Sequence, residues 1–276
     1  MRLEVEGGVL VYEVTGSGPL IVLAHGIGDS REAYRFVAPA LVEAGYRVAA
    51  VDLRGCGESS VEWTGYSHWD VAQDLIALVN HLGGPAVLVG HSFSGGAVTI
   101  AAAQEPALVT AVVELAPFTR VQQIRLADLR VARFRRGILR LLGVLLFGSV
   151  GLWCSYLDIA YPGPKPADWH ARLSEIDARC REPGRMKALQ RMARASTADA
   201  GGRLASVNCP VLVIEGSSDP DWAAPEAEGE AIVASLPPGV GRLTVISGAG
   251  HYPHVQFPEH VATAMLSLFA EVESGS

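Results

Sequence analysis

A hydroxyl, an imidazole and a carboxylate can together open an activated carbonyl, and this chain offers one of each just past a run of β-type sequence. Ser92 sits in Gly90-His91-Ser92-Phe93-Ser94-Gly95-Gly96, after the apolar run Ala86–Val89. Small residues at −2 and +2, Gly90 and Ser94, permit a tight strand-to-helix turn that exposes a nucleophile. The following helix N-terminus favours developing negative charge. A serine hydroxyl is a weak nucleophile; it needs a base, and the base needs a carboxylate to hold it. His251, in Ser247-Gly248-Ala249-Gly250-His251, follows the run Arg242–Ile246, and Asp219, in Gly216-Ser217-Ser218-Asp219, follows Pro210–Glu215. Asp221 is the rival acid and His254 the rival base. An oxyanion needs two backbone N–H donors. The bend His25-Gly26-Ile27-Gly28 after Leu20–Ala24 supplies Ile27, and the residue after the nucleophile supplies Phe93. His25 reads as a hydrogen-bonded brace of that bend.

These residues can meet only if their strands lie side by side, so the elements matter. Leu3–Val5 and Val9–Val14 flank Gly7-Gly8 as a hairpin. Leu20–Ala24, Arg47–Val51, Ala86–Val89 and Val109–Leu115 are short apolar runs of the kind that form doubly covered parallel strands. Between them, helices are expected over Glu32–Glu43, from Ser67 to His81 with Asp70 completing a capping box, and over Gly96–Glu105. The alternation resumes with strand Pro210–Glu215, helix Pro225–Leu236, strand Arg242–Ile246 and helix Glu259–Val272. This rhythm specifies an α/β fold, a mostly parallel eight-stranded sheet with helices on both faces. In such sheets function collects at the carboxyl ends of the strands.

Residues 118–207 break the pattern. The stretch opens with Arg120, Arg125, Arg130, Arg133, Arg135, Arg136 and Arg140 against a single Asp128, and continues through Leu141–Leu157 without a charge. That run is short for a bilayer span, which needs about 20 apolar residues. It reads as an inserted helical cap (residues 118–207) on a core of residues 1–117 and 208–276. Trp153 and Tyr156 are then candidate pocket residues. The cap also explains where part of the apolar excess goes: 49% of the chain is hydrophobic and 18% charged. A net charge of −7 argues against nucleic acid as a partner. Cys56, Cys154, Cys180 and Cys209 show no metal or disulfide spacing, and the start of the chain lacks a signal-peptide pattern, so a cytoplasmic location is expected. No phosphate loop, dinucleotide fingerprint or metal motif is present, so neither cofactor nor metal is expected. The expected partner is a small apolar molecule, without stable membrane insertion, and nothing in the sequence specifies an oligomeric state.

Over essentially its whole length the chain resembles the α/β-hydrolase superfamily, on the strength of the Ser92, Asp219 and His251 loops in that order. Asp52-Leu53-Arg54-Gly55-Cys56-Gly57-Glu58-Ser59 is similar to the superfamily's D-x-R-G-x-G-x-S loop, with Cys56 at a variable, non-catalytic place. Gly250-His251 followed by Pro258-Glu259-His260-Val261 is similar to its histidine loop and last helix. The resemblance implies a serine hydrolase cleaving a small to medium apolar carboxylic ester, lactone or thioester through an acyl-enzyme. A biosynthetic lyase or C–C bond hydrolase on the same triad, and a weakly catalytic ligand receptor, are the alternatives it leaves open. Serine at position 92 sets the chain apart from the superfamily's dehalogenases and epoxide hydrolases, which use aspartate there.

Overall fold

A computed structural model describes residues 1–274. The hairpin forms as β1 (Arg2–Val5) and β2 (Gly8–Thr15), and β3 (Leu20–Ala24) is buried along its whole length. The expected helix over Glu32–Glu43 does not run through. A 3-10 turn at Arg31–Tyr34 precedes a short α1 (Ala38–Glu43). Pro39 explains the break: it lacks an N–H and crowds the preceding turn, so it is accommodated at a helix start and not inside. After β4 (Arg47–Asp52), α2 (His68–Leu82) carries the Ser67–Asp70 capping box and stops at Gly83 in the left-handed conformation (φ 77°). β5 (Ala86–His91), α3 (Phe93–Gln104) and β6 (Val109–Leu115) follow.

The sheet order is β1-β2-β4-β3-β5-β6-β7-β8, antiparallel at β1–β2 and β2–β4 and parallel elsewhere. β7 spans Val211–Gly216 and β8 Gly241–Ile246. From β3 the chain goes to β4 on one side and returns to β5 on the other, which makes the β3–β5 gap a topological switch point. Ala24 lies opposite Gly90 there, so the loops after both strands leave the sheet together. Residues of α2 and α3 (Leu75, Leu78, Val98, Ile100) join one buried apolar cluster. On the other face Leu41 of α1 packs with Val261, Met265 and Phe269 of the closing helix.

Between β6 and β7 the chain forms α4 (Ala132–Phe147), α5 (Val150–Ala160), α6 (Trp169–Cys180), α7 (Arg185–Ala193) and α8 (Ala198–Arg203). The uncharged run Leu141–Leu157 is divided by Gly148 (φ 60°) and the N-cap Ser149. No helix of the described residues is long and apolar enough to cross a membrane. A third apolar cluster joins Trp153, Tyr156, Trp169 and Leu189 of these helices to Tyr252 and Val255. Ala200, Leu204 and Val207, by contrast, pack with the sheet's own cluster. The remaining helices are α9 (Pro225–Ser235), α10 (Pro253–Gln256) and α11 (Pro258–Ser274).

The loop after β4 shows why it needs its polar residues. Arg54 grips Asp74 with two parallel hydrogen bonds of 2.7 and 2.8 Å, bonds the Gly65 and Asp70 carbonyls, and lies over the Trp63 ring. Asp52 accepts from the backbone N–H of Arg31 (2.7 Å) and Glu58 (2.9 Å). Ser59 bridges the Asp52 carbonyl and the Val11 N–H. Breaking a buried pair strands the surviving charge, so Arg54→Leu is expected to cost about 3–5 kcal/mol of unfolding free energy. Urea denaturation measures it; a loss under about 1 kcal/mol would show that the loop does not depend on this pair.

Candidate active site

Ser92 is the only residue between β5 and α3, and its backbone (φ 55°, ψ −117°) lies where side chains are rarely tolerated. The turn is held from both sides. The Ser92 N–H donates to the Leu115 carbonyl (2.9 Å) and the Ser92 carbonyl accepts from the Phe118 N–H (3.0 Å). A Cβ on Gly90 would stand 2.3 Å from the Ser94 carbonyl oxygen, so the turn closes only with glycine at −2. Ser94 at +2 fits, and its hydroxyl donates to the His25 carbonyl at 2.5 Å, tying the Ser92 turn to the loop after β3. The helix begins at Phe93, three residues before the expected Gly96, so Gly95 and Gly96 lie inside its first turns. Side chains there would meet Pro117 and His68 at 2.5 and 2.7 Å.

His251 Nε2 lies 2.9 Å from Ser92 Oγ, and His251 Nδ1 lies 2.8 Å from Asp219 Oδ2. All three side chains are buried. The residues expected after β5, β7 and β8 are therefore brought into one hydrogen-bonded chain. His254, the rival base, points elsewhere: it is fully buried against Tyr34 and burial pushes its imidazole down to about 3. The rival acid is different. Asp221 Oδ2 comes within 3.3 Å of the same His251 Nδ1, accepts the Tyr156 hydroxyl at 2.7 Å, and its N–H donates to Asp219 Oδ1 at 2.8 Å. Burial pushes the Asp221 carboxyl up to about 6. Burial pulls the His251 imidazole down, but Asp219 and Asp221 together outweigh it and raise the group to about 9.

Asp219, Asp221 and His251 could offer a metal three ligand atoms within 4.8 Å of one another. Those atoms are engaged with each other and with Tyr156 and Ser92, and a metal at Nδ1 would have to displace the Asp219 bond. The arrangement suits proton handling.

Ile27 and Phe93 border the same cavity as Ser92. Phe93 is the first residue of α3, where a helical N–H has no partner within the helix. His25 accepts from the Leu53 N–H at Nε2 (3.1 Å), so its Nδ1 carries the proton and donates to the Gly26 carbonyl (2.6 Å). It is the expected brace. A Cβ on Gly26 would lie 3.0 Å from both Ser92 Cβ and His91 Nδ1. Gly26→Ala is therefore expected to push the loop off the Ser92 turn and lower kcat by about 10²–10³ with the protein still folded, the size of losing one oxyanion donor. Steady-state kinetics with an unchanged melting curve checks this; unchanged kcat would place the donors elsewhere.

The cavity in front of Ser92 holds about 270 Å³. Trp153 and Tyr156 line it as expected, stacked 5.2 Å apart, with Phe134, Leu141, Val144 and Met192. Among the described residues no lysine or arginine lines it. The sequence reading missed His68, which lines the cavity, stacks on Phe93 at 4.0 Å and is pushed down to about 4 by burial. It also missed His91, which donates from Nε2 to the His251 carbonyl (2.8 Å) and so supports the His251 loop. Its place beside Ser92 was the available signal. Cys56 is buried and its thiol is pushed up to about 12, which fits a structural role. All four cysteines are unpaired.

The sequence pattern of the Alpha/beta hydrolase family matches residues 21–264. The chain is 31% identical over 274 residues to 2-(acetamidomethylene)succinate hydrolase of Mesorhizobium japonicum, covering 97% of this chain and 94% of that one. It is 29% identical to epoxide hydrolase A of Mycobacterium tuberculosis, covering 92% and 91%. Among solved structures it superposes on a thermophilic esterase from Thermogutta terrifontis with a TM-score of 0.76, 25% identity and 99% of each chain covered.

Proposed function

The chain belongs to the alpha/beta hydrolase family, and from that premise we propose that it is a serine hydrolase of small to medium apolar carboxylic esters, lactones or thioesters. One observation carries the reading: the continuous bond path from Ser92 Oγ through His251 to Asp219, facing a largely apolar cavity. Ser92 Oγ attacks the carbonyl as its proton passes to His251 Nε2. The N–H groups of Ile27 and Phe93 hold the oxyanion. Collapse breaks the bond to the leaving oxygen or sulfur, which takes the proton from His251. Water, deprotonated by the same imidazole, then releases the acid and restores Ser92. Residues 118–207 act as the cap that shapes the cavity, and Ala200, Leu204 and Val207 near its end pack on the sheet's own cluster.

The epoxide hydrolase relative does not change this reading, because position 92 is serine, and an epoxide-opening nucleophile in this family is aspartate. The Mesorhizobium relative is named for a succinate, a dicarboxylate. Among the described residues no lysine or arginine lines the cavity to offset such charge, and leaving carboxylates uncompensated in an apolar site is costly. A p-nitrophenyl ester series tests the proposal. kcat/KM is expected to rise with acyl length by up to about fourfold per methylene until the cavity fills, following the transfer energy of a CH₂ group. A terminal carboxylate on the acyl chain should lower it. A flat series, or preference for the charged esters, would count against an apolar substrate.

A further inference from the structure

The surface around the cavity mouth carries a feature that ester hydrolysis does not use. Of the ten large hydrophobic side chains exposed among the described residues, seven fall between positions 121 and 147: Val121, Ile124, Leu126, Leu139, Leu142, Leu146 and Phe147. Leu126 is 87%, Leu146 72% and Phe147 76% exposed. Leu139, Leu142 and Leu146 follow one another at helical spacing on a single face of α4. Ile124 and Leu142 are both exposed and line the cavity, so the apolar surface runs up to its mouth. Scattered apolar residues need no explanation, but their concentration on one face of α4 and the segment before it, meeting at the cavity edge, marks an interaction site.

Charge singles out the partner. The whole chain carries −7, yet residues 120–140 hold seven arginines and one acid. Arg125, Arg130, Arg135 and Arg136 are exposed, and among the described residues only Arg120 of the seven is in an ion pair, with Glu228. A second copy meeting the patch symmetrically would set these arginines against their own duplicates. A surface that is apolar at its centre and negative around it satisfies both halves, and a lipid interface with anionic headgroups has that character. We propose that α4 and the segment before it dock reversibly on anionic lipid surfaces, turning the cavity mouth toward the bilayer. The surface is independent of the reaction Ser92 performs.

Cosedimentation of the full chain with vesicles tests this without any measurement of turnover. Binding is expected to phosphatidylcholine vesicles containing phosphatidylglycerol at about 0.1 M salt, and to weaken at high salt as the charges are screened. Phosphatidylcholine alone should bind about tenfold more weakly. The pair Leu146→Ser and Phe147→Ser, neither lining the cavity, should lose about tenfold in vesicle binding while cleaving a soluble short-chain ester at the parent rate. The pair Arg130→Glu and Arg136→Glu should abolish the preference for the anionic lipid. Equal sedimentation of parent and variants, or none by the parent, overturns the proposal. So does a concentration-dependent dimer in analytical ultracentrifugation that Leu146→Ser and Phe147→Ser dissociate, since a second copy would then cover the face.

Discussion

Ser92→Ala is expected to lower ester turnover by roughly 10⁴-fold or more, with the fold unchanged, as loss of a triad nucleophile does elsewhere. The size follows from what the hydroxyl does. It is the only atom His251 Nε2 can deprotonate at 2.9 Å, and no second serine, threonine or thiol hydrogen-bonds that nitrogen among the described residues. Alanine keeps the Cβ and meets the same strained backbone, which is held by the Leu115 and Phe118 bonds independently of the side chain. Stability should therefore be nearly that of the parent. What survives comes from the oxyanion donors and binding alone. A melting curve within about 2 °C of the parent, with turnover gone, meets the expectation. Turnover near the parent rate in a folded variant would remove Ser92 from the chemistry.

The second large effect concerns the two carboxylates on one imidazole nitrogen. With a single acid, its replacement by asparagine costs about 10⁴-fold in rate. Here Asp221 Oδ2 already stands 3.3 Å from His251 Nδ1 and is held by Tyr156. Asp219→Asn alone is expected to lose only about 10²–10³, and the double replacement with Asp221→Asn about 10⁴ or more, the non-additivity expected of groups that act together. Asp221→Asn by itself should shift the pH profile. His251 acts as a base only when neutral, and the paired carboxylates raise it to about 9, so kcat/KM should climb with pH toward that value. Removing one negative neighbour lowers the imidazole's proton affinity, and the rising limb should move to lower pH by about one unit. Tyr156→Phe frees the same carboxylate and tests the link to α5. A profile that stays put in both variants would mean that Asp221 does not act on the base.

The sheet and the triad loops were legible because they are local. Each buried strand is a short apolar run, and each functional residue follows its strand within a few positions, so order along the chain translates into place on the sheet. Ser92, His251 and Asp219 meet as that logic requires. What escaped the sequence is long-range or depends on packing. Glu32–Glu43 has helical composition throughout, and only the position of Pro39 reveals the break. Phe93, Ser94 and Gly95 read as loop, yet the helix takes them in, with Gly95 packed so close to Pro117 that no side chain fits there. Tyr156 reads from the sequence as an aromatic pocket residue, but its bond to Asp221 spans 65 positions and crosses from α5 to the loop after β7. No spacing rule predicts such a contact. The same holds for Ser94, whose small size the turn requires and whose hydroxyl also ties the loop after β3 to the Ser92 turn.

The nucleophile itself is the central claim, and covalent labelling addresses it most directly. Incubation with an alkyl fluorophosphonate, followed by intact-mass and peptide mass spectrometry, is expected to give a single adduct, on Ser92, with turnover lost in step with labelling. The same reagent should leave Ser92→Ala unmodified. A protein that stays unlabelled while it turns over its substrate, or one labelled and inactivated at a different residue, would contradict the account.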